Sequence, residues 1–560
     1  MAPHPVLDPP EERPHALADL KFERKPMVRW LSPLVLIEAG LRVVVSSLFG
    51  QYADKREFQA VLDPTPGPPL TYGAADEEEG ALWLDFVADL GDGFDSTYAV
   101  ACLLGQQRLE LSGVDGTEQN PLTPQNGLPR GRALIMGGDE VYPVATRDEY
   151  ENRFRWPYTA AFPTSAGPAP DLLAIPGNHD WYDGLTNFLR FFCAGREIGA
   201  WQTRQRRSYF ALRLPGNWWL LAIDIQLDTY IDEPQLAYFQ GIELGEGDQV
   251  ILVTGKPSWV KVSQGNVPDS YKNIEYFEEK VVKKAGAEVR VTLTGDLHHY
   301  CRYEATDRDH NFITSGGGGA YLFPTHTMPQ ALELPEGKYE QESCYPKKET
   351  SEALTKGAKW LFRLAPGLCA TIAALYTGFA ASLFAAIEVG PGWYVASAIF
   401  GVIMLLSLVT YSAAETTVGK WGLGALHSLA HLLTAAVPAV AVAVAADAGW
   451  LVVPVAALAA FVGYFVGGLI FGEYLILSHR RAPKHANEVL ACQGIPDYKN
   501  FLRLRLDDEG LTIYPIGIDH VPRQWEPNPD GAAHEPWLRP EKGDSLEAHL
   551  IEPPLHFPTR

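Results

Sequence analysis

The chain has 560 residues, too many for one ordinary hydrophobic core, so two or more domains are expected. Its 46 Lys and Arg against 68 Asp and Glu give a formal net charge of -22, which repels polyanions and sets nucleic acid aside as an expected partner. Six cysteines (Cys102, Cys193, Cys301, Cys344, Cys369 and Cys492) lack C-x-x-C spacing, which disfavours a zinc knuckle or a disulfide framework and fits a reducing compartment.

The first 29 residues are Pro-rich and mixed in charge, without the apolar core of a cleavable signal peptide. They open an N-terminal region, 1–79, that also holds the apolar run RWLSPLVLIEAGLRVVVSSLFG at 29–50. Its interior charges, Glu38 and Arg42, stand four apart on one helical face. Two readings stand side by side. The helix lies in a membrane interface with Lys21, Arg24, Lys25 and Arg29 against anionic head groups, or it packs on the soluble domain.

Across 80–345, short apolar runs alternate with longer mixed segments: LWLDFVAD, RALIMGG, DLLAIPG, YFALRL, WWLLAIDI, QVILVTG and VRVTLTG. This alternation predicts an α/β layered domain whose ligand sites form where strands end in loops. Polar residues cluster at those ends: Asp89 and Asp92, Asp139, Asn178 and His179, Lys256, then Asp296, His298 and His299. Carboxylates, an amide and imidazoles together suit a dinuclear site for Mn, Fe or Zn, and the lack of cysteine among them disfavours structural zinc. Lys256 is read as a neutraliser of phosphate charge or as a plain surface lysine before Pro257. The aromatic stretch WYDGLTNFLRFF, 181–192, is read as a substrate-receiving wall or as a core-packing helix.

Residues 346–478 contain four apolar stretches, about 364–387, 393–413, 424–446 and 450–474, each near the roughly 20 residues that cross a bilayer as a helix. Lys347, Lys348, Lys356, Lys359 and Arg363 precede the first, Lys420 lies between the second and third, and Arg480, Arg481 and Lys484 follow the fourth. By the positive-inside rule the N- and C-terminal soluble parts are expected in the cytoplasm. His427 and His431 share a face of the third span, as a metal or head-group site or as neutral imidazoles bonded to a neighbouring helix, with Glu473 a candidate partner. The remainder, 479–560, is expected to be a separate cytoplasmic segment with a β-hairpin, FLRLRL and LTIYPI, and a Pro-rich, partly disordered tail from Pro527.

The succession of strand-end motifs over about 80–330 resembles the calcineurin-like metallophosphoesterases, whose series is D-x-H, G-D, G-N-H-D/E, a later His before Pro, and G-H-x-H. The resemblance implies a metallophosphoesterase-type layered β-sandwich flanked by helices, which the four-helix transmembrane domain would anchor. It implies two divalent metal ions, with Asp89 and His298 on the first, Asp139 bridging and Asn178 on the second. His179 would face the phosphoryl group as proton donor or transition-state contact.

Three usual imidazoles are replaced, by Gly91, Gly255 and Asp296. A carboxylate at Asp296 shifts the preference toward Mn, and Asp92 and His326 are spare donors. The implied function is a membrane-anchored phosphohydrolase acting on a phosphoester, lipid-linked or nucleotide-like, beside membrane lipids. The alternative is a non-catalytic sensor or scaffold that binds phosphate-bearing ligands.

Overall fold

The computed structural model describes residues 13–49, 54–62, 67–111, 126–225, 231–263, 269–412, 417–445, 449–481 and 485–560. They fall into two compact units. One comprises the described parts of Met1–Val28, Ala39–Lys348 and Pro496–Arg560, the other Arg29–Glu38 and the described parts of Glu349–Ile495.

The first unit is built on two nine-stranded sheets. In one, Lys499–Asp507, Leu82–Val87, Ala133–Met136 and Asp171–Ala174 lie side by side, the last three parallel. In the other, Trp218–Ala222, Gln249–Thr254, Glu288–Thr294 and Asn311–Ser315 form a parallel centre. Alternation along each strand decides what its two faces meet. Leu82, Leu84 and Phe86 join Leu220, Ile251, Leu293 and Ile313 in one buried cluster that draws on both sheets. Trp83 and Val87, pointing the other way, pack with Tyr98, Tyr150 and Phe154. Trp219, Leu221 and Leu252 of the second sheet pack with Phe239, Trp259 and Phe277. Each sheet is therefore covered on both faces, which is why its strands read as continuous apolar runs.

The C-terminal segment differs from the expectation of a separate piece. Lys499–Asp507 pairs antiparallel with Leu82–Val87, in register from Leu502↔Phe86 to Leu506↔Leu82. The cause is visible in LRLRL: Leu502, Leu504 and Leu506 enter the shared core, and the strand closes an otherwise open sheet edge. The tail beyond Pro527 is also ordered, because Trp525–Pro527 pairs with Leu538–Pro540 and Leu555–Pro558 pairs with Gly510–Ile518. Buried Trp525, Trp537 and Phe557 anchor it.

In the second unit, Pro366–Glu388, Trp393–Tyr411, Trp421–Ala445 and Gly449–Arg481 are long and apolar enough to cross a membrane. Small residues let the helices approach: a side chain at Gly424 would stand 2.5 Å from the Val409 backbone. His431 Nε2 lies 3.1 Å from His427 Nε2, and the Tyr376 hydroxyl lies 2.9 Å from His431 Nδ1. His427 stacks on Tyr474 with ring centroids 3.9 Å apart, whereas Glu473 is exposed. The pair's described partners are thus Tyr376, Tyr474 and Phe471 of neighbouring helices, and Lys484 lies outside the described residues. Upstream, Pro33–Phe49 is helical, and Leu34, Ile37 and Leu41 on it are exposed.

Candidate metal centre

Four strand ends deliver the polar residues. Asp89 follows Leu82–Val87, Asp139 follows Ala133–Met136, Asn178 and His179 begin a short helix after Asp171–Ala174, and Asp296 and His298 follow Glu288–Thr294. Asp89, Asp139 and Asp296 have φ of 57°, 55° and 69°, a left-handed conformation that side-chain-bearing residues adopt at a cost. Three acidic residues held this way at strand ends mark a region shaped for something other than stability.

At its centre is the Tyr142 hydroxyl, 3.1 Å from Asp89 Oδ1, 3.2 Å from Asp139 Oδ2 and 3.1 Å from His298 Nε2. One phenolic proton cannot serve three acceptors at once. Asp89 Oδ1 also accepts from the Asp296 amide at 3.1 Å, and Asp139 Oδ1 from the His179 amide at 2.8 Å. Asp89 Oδ2 is buried without a hydrogen-bond partner. It faces glycine backbone, for a Cβ on Gly316 would lie 2.1 Å from it and one on Gly295 2.9 Å. Burial first, and the charges of Asp139 and Asp296 next, push the Asp89 carboxyl well above its ordinary range; burial, Asp180 and Asp296 do the same to Asp139. Such carboxylates stay ionised when a cation joins them.

The two histidines are set by their other nitrogens. His298 Nδ1 lies 2.9 Å from the Tyr321 carbonyl and must donate to it, which leaves Nε2 as the lone-pair nitrogen facing the cluster. This is how a metal-binding imidazole is ordinarily oriented. His179 Nδ1 donates likewise to the Pro143 carbonyl at 2.8 Å, with the ring between Tyr142 and Tyr182. Desolvation lowers its pKa to about 4, so the imidazole is neutral at neutral pH. Asn178 Nδ2 donates to the Tyr182 hydroxyl at 2.8 Å, which turns the amide so that Oδ1 is its donor atom toward an ion.

Other residues serve as struts. Asp180, the last residue of GNHD, accepts from the amides of Gly177 at 2.8 Å and Asp139 at 3.0 Å and from the Tyr150 hydroxyl, tying the Asn178 turn to the Asp139 turn. Asp92, expected as a spare ligand, has Oδ1 on the Val28 amide at 2.7 Å and Oδ2 on the Tyr321 amide at 3.1 Å, so both oxygens brace backbone. His326 is half-buried farther along that segment. The aromatic stretch at 181–192 supplies core: Phe188, Phe191 and Phe192 are buried, and Trp181 donates to Asp224 at 3.1 Å.

Gly91 is a glycine for a physical reason. A Cβ on Gly91 would lie 2.3 Å from the Glu140 carbonyl, and Gly91 accepts from the Tyr142 amide at 3.0 Å. The chain has no space for a side chain there and uses the close approach to bring Tyr142 into the site. Tyr142 is absent from the expectation drawn from sequence, and Asp180, part of GNHD, has no role in it. Both lie in the motifs GGDEVYP and GNHD, and Tyr142 stands three residues after Asp139.

Among the described residues no three His, Cys, Asp or Glu side chains close on one point as a ready-made ion cage. The cluster joins carboxylates to a phenol, an amide and one imidazole. Asp89 Oδ2 is without a hydrogen-bond partner and His298 presents a lone pair, donor chemistry of the kind a hard or borderline divalent cation would use.

No family model matches the sequence, and no curated protein matches it significantly. Among solved structures it is similar to GAP50, the anchor in the inner membrane complex of Plasmodium, at 14% identity and a TM-score of 0.31, over 47% of this chain and 79% of that one. PhoD gives 11% and 0.26 over 46% of this chain and 59% of its own. The purple acid phosphatase PPD1 from yellow lupin (Lupinus luteus) seeds gives 12% and 0.28, over 47% and 48%. At these scores none of the three carries an argument about activity.

Proposed function

We propose that the first unit is a metal-dependent phosphoester hydrolase of the metallophosphoesterase type, a helix-flanked sandwich that the four-span unit holds at the cytoplasmic face of a membrane. The observation that carries this is the convergence of Asp89, Asp139 and His298 on the Tyr142 hydroxyl at 3.1 to 3.2 Å. Asp89, Asp139, Asn178, Asp296 and His298 would hold two divalent cations, Mn in preference to Fe or Zn because oxygen donors outnumber nitrogen. Bound there, the cations would supply Lewis-acid activation of water and neutralise phosphoryl charge.

The chain's own residues do the rest. Asp180 keeps the Asn178 and Asp139 turns in fixed relation. The Pro143 carbonyl fixes the His179 ring through Nδ1, and Nε2 would be the atom that meets the phosphoryl group or the leaving oxygen. The substrate is a phosphoester, lipid-linked or nucleotide-like, with membrane lipids as neighbours, and the net charge of -22 disfavours nucleic acid.

The test is hydrolysis of aryl phosphomonoesters and diesters by the detergent-purified chain with Mn, beside Asp139→Asn. Turnover that the substitution abolishes supports the hydrolase. Equal turnover by both proteins, or none with any metal, would leave a phosphate-recognising sensor or scaffold.

A further inference from the structure

The backbone from Gly316 to Tyr321 is held at nearly every residue. On one side it grips the metal centre. Gly318 N–H donates to the Ala88 carbonyl at 2.9 Å, Ala320 N–H to the Asp89 carbonyl at 2.9 Å, and the Tyr321 carbonyl accepts from His298 Nδ1 at 2.9 Å. Gly316 N–H donates to the His299 carbonyl at 3.1 Å, and a Cβ on Gly316 would lie 2.1 Å from Asp89 Oδ2, so no side chain fits between the strap and that oxygen. This one strap therefore holds the backbone of Asp89 and the ring of His298, the two residues assigned to the first cation.

On its other side the strap rests on two residues from beyond the membrane spans. Lys499 Nζ donates to the Ala320 carbonyl at 2.5 Å. Asn500 N–H donates to the Gly317 carbonyl at 3.1 Å, and Asn500 Oδ1 accepts from Ser315 Oγ at 2.9 Å. A Cβ on Gly317 would lie 2.1 Å from Asn500 Nδ2, so only a glycine backbone fits over that amide. Both residues are fully buried. An ammonium removed from water in this way is costly unless it is paired and hydrogen-bonded; here the carboxylates of Asp92, Asp497 and Asp89 favour the charge, and the Ala320 carbonyl takes its hydrogen bond.

We propose that Lys499 and Asn500 are positioning residues of the metal centre: through the Gly316–Tyr321 strap they set the separation of Asp89 and His298. The inference rests on the hydrolase reading for its consequence but not for its geometry. It makes the strand that follows the four spans in the chain a working part of the site.

The test uses the full chain in detergent with Lys499→Met and the milder Asn500→Ala, beside Leu504→Ala, a shared-core control expected to lose stability without touching the strap. Two quantities are read: affinity for Mn alone, by calorimetry, and amide hydrogen exchange across 315–323. Mn binding should weaken about tenfold to a hundredfold in the first two variants, the range seen when residues behind metal ligands are removed, and stay within about twofold of wild type in the control. Exchange at Gly318, Ala320 and Tyr321 should quicken in the same two variants only. Should both quantities match wild type, or shift as much in Leu504→Ala, the positioning role is overturned. A wild-type chain that binds no Mn would sink the metal reading by itself, and exchange alone would then decide whether Lys499 and Asn500 hold the strap. If Lys499→Met does not fold, Asn500→Ala decides.

Discussion

Arg503 and Asp85, 418 residues apart in the chain, meet as a buried ion pair at 2.7 Å. They are register partners on adjacent strands, and Arg503 also donates to the Leu128 carbonyl at 2.9 Å while Asp85 accepts from the Gly131 amide at 3.0 Å. Each charge satisfies the other where water is absent. Arg503→Met is therefore expected to destabilise the first unit by about 3 to 5 kcal/mol, because it strands the Asp85 carboxylate. Adding Asp85→Leu to that variant should restore part of the loss. Denaturant unfolding followed by tryptophan fluorescence measures both, and a single variant within about 1 kcal/mol of wild type would remove the claim that this pair stitches the C-terminal strand to the sheet.

This pair also shows where sequence reading stops. Apolar runs reveal which segments are buried, so the strands from Leu82–Val87 to Glu288–Thr294 were legible, as were the four apolar helices. Small residues followed by oxygen or imidazole donors marked Asp89, Asp139, Asn178, His179, Asp296 and His298. Periodicity carries no information about which strand lies beside which, so LRLRL announced a hairpin but not its pairing to Leu82–Val87. Asp92 shows a related limit: its spacing from Asp89 suits a ligand, and nothing in that spacing reveals that amides from two distant segments bond its oxygens. Tyr142 was hidden because an aromatic residue in a loop usually packs, and only the absence of space at Gly91 explains its place.

Tyr142→Phe tests the centre of the cluster. Loss of the hydroxyl removes the one donor that Asp89, Asp139 and His298 share, so the metal-free protein should lose roughly 1 to 3 kcal/mol of stability. If the phenol helps hold or orient the cation, Mn affinity should fall about tenfold or more, roughly 1.4 kcal/mol. Calorimetric titration with Mn and thermal unfolding without it provide the two readings. Unchanged affinity with unchanged stability would reduce Tyr142 to packing.

Acid sensitivity should come in part from a residue remote from the site. His310 is buried with Nε2 3.1 Å from Thr292 Oγ1 and Nδ1 3.1 Å from the Tyr339 hydroxyl. Burial, then Arg308 and Arg290, lower its pKa from 6.5 to about 3. A folded-state value below the unfolded one means that the stability is fully present above about pH 6.5 and is lost as the pH falls toward 3. Between pH 6.5 and pH 5 this one imidazole should remove roughly 2 kcal/mol. His310→Gln cannot take up the proton, so its unfolding free energy should fall less steeply over that interval. Identical slopes for variant and wild type would mean that His310 is not protonated on unfolding in this range.

His179 separates chemistry from binding. Its Nδ1 is committed to Pro143, so any proton given to a leaving oxygen must come from Nε2, and the neutral ring must first gain that proton beside an anionic phosphoryl group. An aryl oxide with electron-withdrawing substituents leaves without a proton, whereas an alkoxide does not. His179→Asn, which keeps a hydrogen-bonding side chain, is expected to lower kcat on alkyl phosphoesters by about a hundredfold to ten-thousandfold, and on nitrophenyl esters by far less. Comparing the two substrate classes under the same Mn concentration gives the ratio directly. A proton donor makes the loss grow with the basicity of the leaving group, whereas a residue that only contacts the phosphoryl oxygens lowers both rates equally, and that second pattern would transfer leaving-group protonation to another residue.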